Sequence, residues 1–563
     1  MLDLAIKNGR IVDGSGLPAY RGDVGISAGR IVSVGPAVTN AGRVLDARGQ
    51  VVAPGFIDPH THFDAQLCWD PQARPSLEHG VTSVVPGNCS LSLAPLRKDQ
   101  RGRFSRMFRQ IEEMPEAAFD DGIDWRWGER FEAWLECLAG DLALNVAPLV
   151  GHSSIRLYVM GEDAAQRVAT GDEVRAMQDV LRGCLDAGAV GLSTSFIDID
   201  ENLKPVPSRF ADRTELAALC AVLGEHGKIL QAVHEFFDTD LTIARVEQLA
   251  ALSLRHGIPT TFSPLFHNRA FPDMGDRVMA RVEAAWAEGA RVWPQVQTRP
   301  IDISFTLAQR SLLFITMPSW YTVVSLPGTA AKLAAFSDPE LRKRLVAEAT
   351  LPPEIAAAVG RDWESTLVRK VALDKNRGLE GRRLGEIAAE LGKTPLETMI
   401  DLSVEEGLET WFLRSRIGHC DDAAVGKLLT HPYVHVGAGD GGAHVASFAT
   451  YGDTGYLFSR FVRETKALRL EDAVKKLTFD PCSIWGLAGR GLLRTGYAAD
   501  VVVFDPASID RGPELEARDL PGDGLRWLRH AVGIDSVLVN GAVAWSAEGG
   551  YSDARSGVIA TLS

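Results

Sequence analysis

Two hydrophobic rhythms divide this chain. Over residues 1–54 apolar and polar positions alternate in short runs, LAIKNGRIVDG, GDVGISAGRIVSVGP and VLDARGQVVAPGF, each broken by a turn signal. Period-two alternation with a turn about every eight to twelve residues predicts short strands and a small β-sandwich. The same texture returns in GYAADVVVFDP (Gly496–Pro506) and SVLVNGAVAW (Ser536–Trp545), the second with an Asn-Gly turn. One sandwich built from both chain ends, residues 1–54 and 486–563, is expected.

Between these ends the period changes. Val174, Met177, Leu181 and Leu185 recur at helical spacing, Gly188 ends the helix, and AVGLS follows as a buried strand. The unit repeats. Helices over Thr214–His226, near Leu241–His256 and near Asp276–Glu288 precede strands at Ile229–Val233, Thr260–Ser263 and Arg291–Gln295. A later helix at Asp422–Thr430 precedes a strand at Val434–Ala438. Such alternation predicts an α/β fold whose parallel sheet closes as a (β/α)8 TIM-like barrel, here over residues 55–485. Thr298–Arg383 breaks the rhythm, rich in proline and aromatic residues at first and helical later, and reads as an insertion.

Composition narrows the function. The chain is 46% hydrophobic and 23% charged, with a net charge of -14 and no basic block, which argues against nucleic acid or an anionic membrane as partner. A small-molecule substrate fits, and assembly as a homo-oligomer is left open. Seven irregularly spaced cysteines do not form a disulfide framework, and MLDLAIKNGRIVDGSG has no signal-peptide core. A cytoplasmic protein is expected.

Candidate chemistry lies where barrel strands end. GFIDPHTHFD places His60 and His62 just beyond the first predicted strand. Residues i and i+2 of an extended segment point to one side, which suits a single divalent metal. Cys89, in GVTSVVPGNCSLSLAP, follows the next strand-like run, where a thiolate can ligate zinc. The other six cysteines read as small buried hydrophobes. His234 closes KILQAVHEF at a ligand position, and His267 follows the next strand in TTFSPLFHNR. Asp440, in VHVGAGDGGAH, ends a late strand among small residues that leave room for metal and substrate; a plain Asp-Gly turn is the alternative. His444 is a candidate supporting or substrate contact, and His152 ends the short strand of PLVGHSSIR.

Taken together, VVAPGFIDPHTHFDAQ, GVTSVVPGNCSLSLAP, PLVGHSSIR, AGAVGLSTS, DGGAH and GLAGRGLLRTGYAADVVVFDP resemble the amidohydrolase superfamily, and within it the D-aminoacylase (N-acyl-D-amino-acid deacylase) branch. The resemblance covers nearly the whole chain and is weakest over Thr298–Arg383. It implies a hydrolase holding one or two Zn2+ ions. By position, His60 and His62 match the first-strand ligands, and Cys89 matches the thiolate that replaces the carboxylated lysine of many relatives. His234 matches the next histidine ligand and Asp440 the catalytic aspartate. The branch usually carries histidines directly after the serine that ends the following strand. Pro264 and Leu265 stand there in this chain, so either His267 substitutes after a loop shift or this ligand is missing. The branch's following lysine is also absent, and Arg269 is the nearest cation.

The chemistry expected is attack of a zinc-activated water on an amide carbonyl, with Asp440 moving the proton and His152 helping the oxyanion. Arg269 and Arg299 are candidates for a substrate carboxylate. The leading substrate is an N-acyl amino acid, including the D-form, or a similar small amide. Hydrolysis of a cyclic amide, lactone or ester is the alternative, and an inactive metal-binding relative is a third.

Overall fold

The computed structural model describes residues 1–560 except 37, 353–360 and 438. Eight parallel strands form its centre: β1 (Phe56–Asp58), β2 (Val81–Val84), β3 (Asn145–Val146, continued by Leu149–Gly151), β4 (Gly191–Ser195), β5 (Ile229–Val233), β6 (Pro259–Ser263), β7 (Arg291–Val296) and β8 (His435–Val436). Each pairs in parallel with the next, from β1–β2 through β7–β8. The ring closes just beyond β8, where Thr61 bridges Gly441 and the Asp440 N–H donates to the His60 carbonyl at 3.0 Å. The barrel is therefore complete, as the helix–strand alternation predicts.

Its repeating unit has local causes. Thr170 and Glu173 form a reciprocal capping box at the start of Gly171–Ala187, and Gly188 ends that helix at φ 125°. Asp212 and Asp238 cap the next two helices, Arg213–His226 and Thr239–His256, and left-handed Gly227 and Gly257 end them. Each helix turns straight into a strand buried along most or all of its length, such as GLSTS or ILQAV.

Strands from both chain ends join one nine-stranded sheet, with Val51–Pro54 antiparallel to Val501–Phe504. Leu2–Ile11 divides one edge between Ala41–Asp46 and Val51–Pro54, which bends the sheet over a core of Leu4, Ile6, Val24, Ile31, Val501 and Leu538. The hairpin Asp510–Leu520/Gly524–Val532 stands apart from this sheet and pairs only with itself.

The interruption after β7 is larger than its predicted span of 298–383. It forms an antiparallel sheet of Ile301–Phe305, Leu367–Lys370 and Trp411–Gly418, with helices packed on a separate core that includes Phe305, Trp320, Phe336, Ile387, Met399 and Phe412. It therefore runs to Gly418. The helices Leu384–Leu391 and Pro395–Glu405 have the same amphipathic spacing as barrel helices, so periodicity alone assigns them to the barrel. Residues 353–360 of the predicted insertion and 438 of the predicted last strand lie outside the described residues. Among the described residues no helix is long and apolar enough to cross a membrane.

One histidine of this framework predicts an acid sensitivity. His435, on β8, is buried and accepts a hydrogen bond from the Trp485 indole at 3.0 Å. Burial lowers its imidazole to about 3. The unfolded chain binds that proton first, near pH 6.5, so the stability contributed is full above that pH and is lost as pH falls toward 3. Melting temperature is expected to drop as pH falls below 6.5. His435→Gln, which keeps an acceptor for Trp485, should reduce the slope of stability against pH by about one proton. An unchanged slope would refute the assignment.

Candidate metal centre and active site

The C-terminal ends of β1, β2 and β8 deliver the central side chains. His60, His62 and Cys89 bring one donor atom each to within 4.8 Å of one another, all buried. Cys89 Sγ lies 3.6 Å from His60 Nε2 and 3.9 Å from His62 Nε2. Asp440 Oδ1 faces the same two nitrogens at 3.3 and 3.9 Å.

The imidazoles are held from behind. His60 Nδ1 meets Gln295 Oε1 at 3.0 Å and His62 Nδ1 meets Glu112 Oε1 at 2.9 Å. Those oxygens can only accept, so each Nδ1 carries a proton and each Nε2 is the atom turned to the centre. That is the form in which a histidine binds a metal, with an outer carboxylate or amide fixing the tautomer. His234, directly after β5, follows the same rule. Its Nδ1 donates to the Glu235 carbonyl at 2.6 Å, and its buried Nε2 has no partner among the described residues.

Backbone strain gathers at these positions. Cys89, Ser90, Asp440 and His444 all have left-handed φ, between 49° and 67°. Non-glycine residues there cost about 1–3 kcal/mol and persist where the surroundings dictate them. Gly439 admits the approach of Asp58, whose carboxylate would lie 2.7 Å from an added Cβ.

The electrostatics call for a cation. Burial raises the carboxyls of Asp58, Asp64 and Asp198 to about 8, 7 and 6, and raises that of Asp440 as well. Burial, with Asp198, Glu112 and Asp440 nearby, holds the Cys89 thiol well above its ordinary value. Burial lowers His60 to about 3, whereas at His62 the Glu112 carboxylate overrides burial and raises the imidazole to about 9. A divalent cation would displace the proton at His62 Nε2, deprotonate the thiol and relieve the packed carboxyls. Two imidazoles, a thiolate and a carboxylate are the donor types zinc takes, so the residues present fit that ion.

The other candidate residues are placed differently. His267 is turned away from the cluster, with Nδ1 3.4 Å from Cys420 Sγ and its backbone joined to His419. It lines an outer cavity of about 830 Å³ that also holds exposed Arg269. The residues after β6 are why: Leu265 N–H pairs with the Gln295 carbonyl, so the chain reaches His267 only after leaving the strand. His152 is fully engaged, with Nδ1 at Thr194 Oγ1 and Nε2 at Glu215 Oε1, in a buried group with Arg156. Arg299 is also engaged. It pairs with Asp453 at 2.8 Å and donates to the Gly439 carbonyl at 3.0 Å, which braces the turn carrying Asp440. His444 stacks on Phe448 beside the centre, with Nδ1 3.9 Å from Glu113. Of the six cysteines assigned to the interior, Cys68, Cys137 and Cys420 are only partly buried.

Glu112 and Gln295 are the residues that sequence reasoning missed. Gln295 ends a predicted strand. Glu112 ends the helix Arg101–Glu112, whose buried face is Phe104, Met107, Phe108, Ile111 and Glu112 itself. Its spacing of four from Phe108 and eight from Phe104 is the available signal, because it puts a carboxylate on the apolar face.

A closed parallel barrel with a buried donor cluster at its C-terminal mouth is the arrangement of a metal-binding barrel enzyme. The chain belongs to the amidohydrolase family, whose model matches residues 43–544. The N-acyl-D-aspartate deacylase of Alcaligenes xylosoxydans xylosoxydans is 30% identical over 553 residues, 97% of this chain and 92% of that one. A crystal structure of D-aminoacylase, described as defining a novel subset of amidohydrolases, superposes with a TM-score of 0.67 at 27% identity, covering 100% of both chains. The N-acyl-D-glutamate deacylase of Bordetella bronchiseptica, solved with zinc and a phosphonate mimic of the tetrahedral intermediate, gives 0.66 at 26% identity, over 100% of this chain and 99% of that one.

Proposed function

We propose that this amidohydrolase is a zinc-dependent deacylase of N-acyl-D-amino acids. The observation that carries the reading is the convergence of His60, His62, Cys89 and Asp440 at the barrel mouth. The relatives named above, which act on N-acyl-D-amino acids, support the substrate class. His60, His62 and Cys89 would hold one zinc ion, and His234 Nε2 is a further buried lone pair with no partner among the described residues. A zinc ion held there supplies Lewis acidity and lowers the pKa of water to about 7.

The chain's own residues do the rest. Glu112 and Gln295 keep both imidazoles in the ligating tautomer. Asp440 takes a proton from the attacking water at its carboxylate and returns it to the departing amine. His60 and His62 are each 2% exposed, whereas the Asp440 side chain is 21% exposed and faces the open mouth from which substrate would approach.

One observation favours a second reading, hydrolysis of a cyclic amide, lactone or ester. The loop after β6 carries Pro264 and Leu265 and turns His267 toward Cys420. The test is metal content per chain together with turnover of N-acyl D- and L-amino acids, hydantoins and lactones. Zinc with D-selective deacylation is expected. Turnover of only the cyclic substrates would replace the first reading with the second, and failure to bind zinc would overturn both.

A further inference from the structure

We propose that Asp198 is the specificity-determining residue of this site and that it selects N-acyl-D-amino acids with a basic side chain, such as those of D-arginine and D-lysine. The inference rests on the deacylase reading and narrows its substrate class.

Asp198 lies three residues beyond β4, and hydrogen bonds fix that stretch at the barrel mouth. The Phe196 N–H donates to the Val233 carbonyl at 2.9 Å, which ties it to the end of β5 next to His234. The Ser193 hydroxyl accepts from the Ser90 N–H at 3.1 Å, which ties β4 to the loop carrying Cys89. The Ser195 hydroxyl accepts from the N–H groups of Ile197 and Asp198 at 3.2 and 2.9 Å and turns the chain back. The Asp198 side chain shares the field of the metal centre. Of the charges acting on the Cys89 thiol, it stands ahead of Glu112 and Asp440, and Glu112, His62 and Arg209 act in turn on Asp198. Its Oδ2 is buried and has no hydrogen-bond partner among the described residues.

A buried acceptor left without a donor costs free energy unless a ligand supplies one. A metal ion does not remove the need, because the Cys89 thiolate and Asp440 already balance one divalent cation. The neighbouring cations are engaged elsewhere. Arg299 pairs with Asp453 at 2.8 Å and Arg245 with Glu235 at 2.9 Å. Arg209 is exposed and donates to the Ile197 and Asp198 backbone carbonyls at 3.0 and 3.2 Å. Asp198 therefore offers an acceptor to a guanidinium or ammonium group and a like charge to an acidic side chain. Attraction for one class and repulsion of the other together make selection.

The test compares the full zinc-loaded chain with Asp198→Asn and Asp198→Glu, by turnover of N-acetyl-D-arginine and N-acetyl-D-glutamate and by calorimetric binding of free D-arginine and D-glutamate. The parent chain should favour arginine in both. Asp198→Asn should lower the arginine-to-glutamate ratio of kcat/KM by about 10–100-fold, the range for one hydrogen bond to a charged group, with the loss for arginine carried by KM. Asp198→Glu, which keeps the charge, should restore part of the ratio, and zinc content should be the same in all three proteins. Binding of the free amino acids needs no turnover. Asp198-dependent binding of D-arginine by a chain that hydrolyses neither substrate would refute the deacylase reading and leave the role of Asp198 standing. An arginine-to-glutamate ratio that Asp198→Asn leaves unchanged, or loss of zinc from that variant, would overturn the proposal.

Discussion

Asp440→Asn is expected to lower kcat by about 10²–10⁴-fold, the range for removing a general acid–base group. KM and zinc content should stay close to those of the parent chain. The carboxamide keeps the size of the side chain, and the backbone hydrogen bond from Asp440 to the His60 carbonyl is untouched. His60, His62 and Cys89 still offer three donors within 4.8 Å of one another. What the amide cannot do is accept the proton of the attacking water and return it. Elemental analysis beside steady-state kinetics separates the two roles of this residue. Loss of zinc in parallel with kcat would make Asp440 chiefly a ligand, and full activity would remove it from the mechanism.

Glu112 is expected to give the second large effect. Replacing it with Gln or Ala should weaken zinc binding by about 10–100-fold, as removal of outer-shell partners of metal-bound histidines does. The carboxylate is buried, sits 2.9 Å from His62 Nδ1 and sets the tautomer that presents Nε2 inward. Gln retains an acceptor and should lose less than Ala. The measurement is competition for zinc against a chelating dye, which reads affinity without reference to turnover. Equal affinity in all three proteins would show that His62 is oriented by the barrel alone.

How far the sequence leads depends on the distance over which each feature is decided. The barrel's helix–strand units are local, set by caps such as Thr170 and Asp212 and by stop glycines, and they read correctly. His60, His62, Cys89 and Asp440 are legible as candidates because each lies two to five residues beyond a strand end, and closure of the ring brings those ends together. His152 also follows a strand end, but which neighbours satisfy it is a tertiary matter, and Glu215 and Thr194 occupy both its nitrogens. The same holds for Arg299, whose charge is taken by Asp453, a residue distant in sequence. His267 and the true end of the excursion are set by packing, against Cys420 in one case and around a second core in the other. Periodicity carries no information about either.

The shared terminal sheet has a consequence for biosynthesis. Val51–Pro54 finds its antiparallel partner only at Val501–Phe504, about 450 residues later. At about 5–20 residues per second, the first strands leave the ribosome roughly 20–90 s before the strand that completes their edge exists. During that interval the nascent chain presents unpaired β-edges of the kind that template association between chains. The barrel can begin to form in that time, but the end of the chain must arrive before the sheet beside it can close.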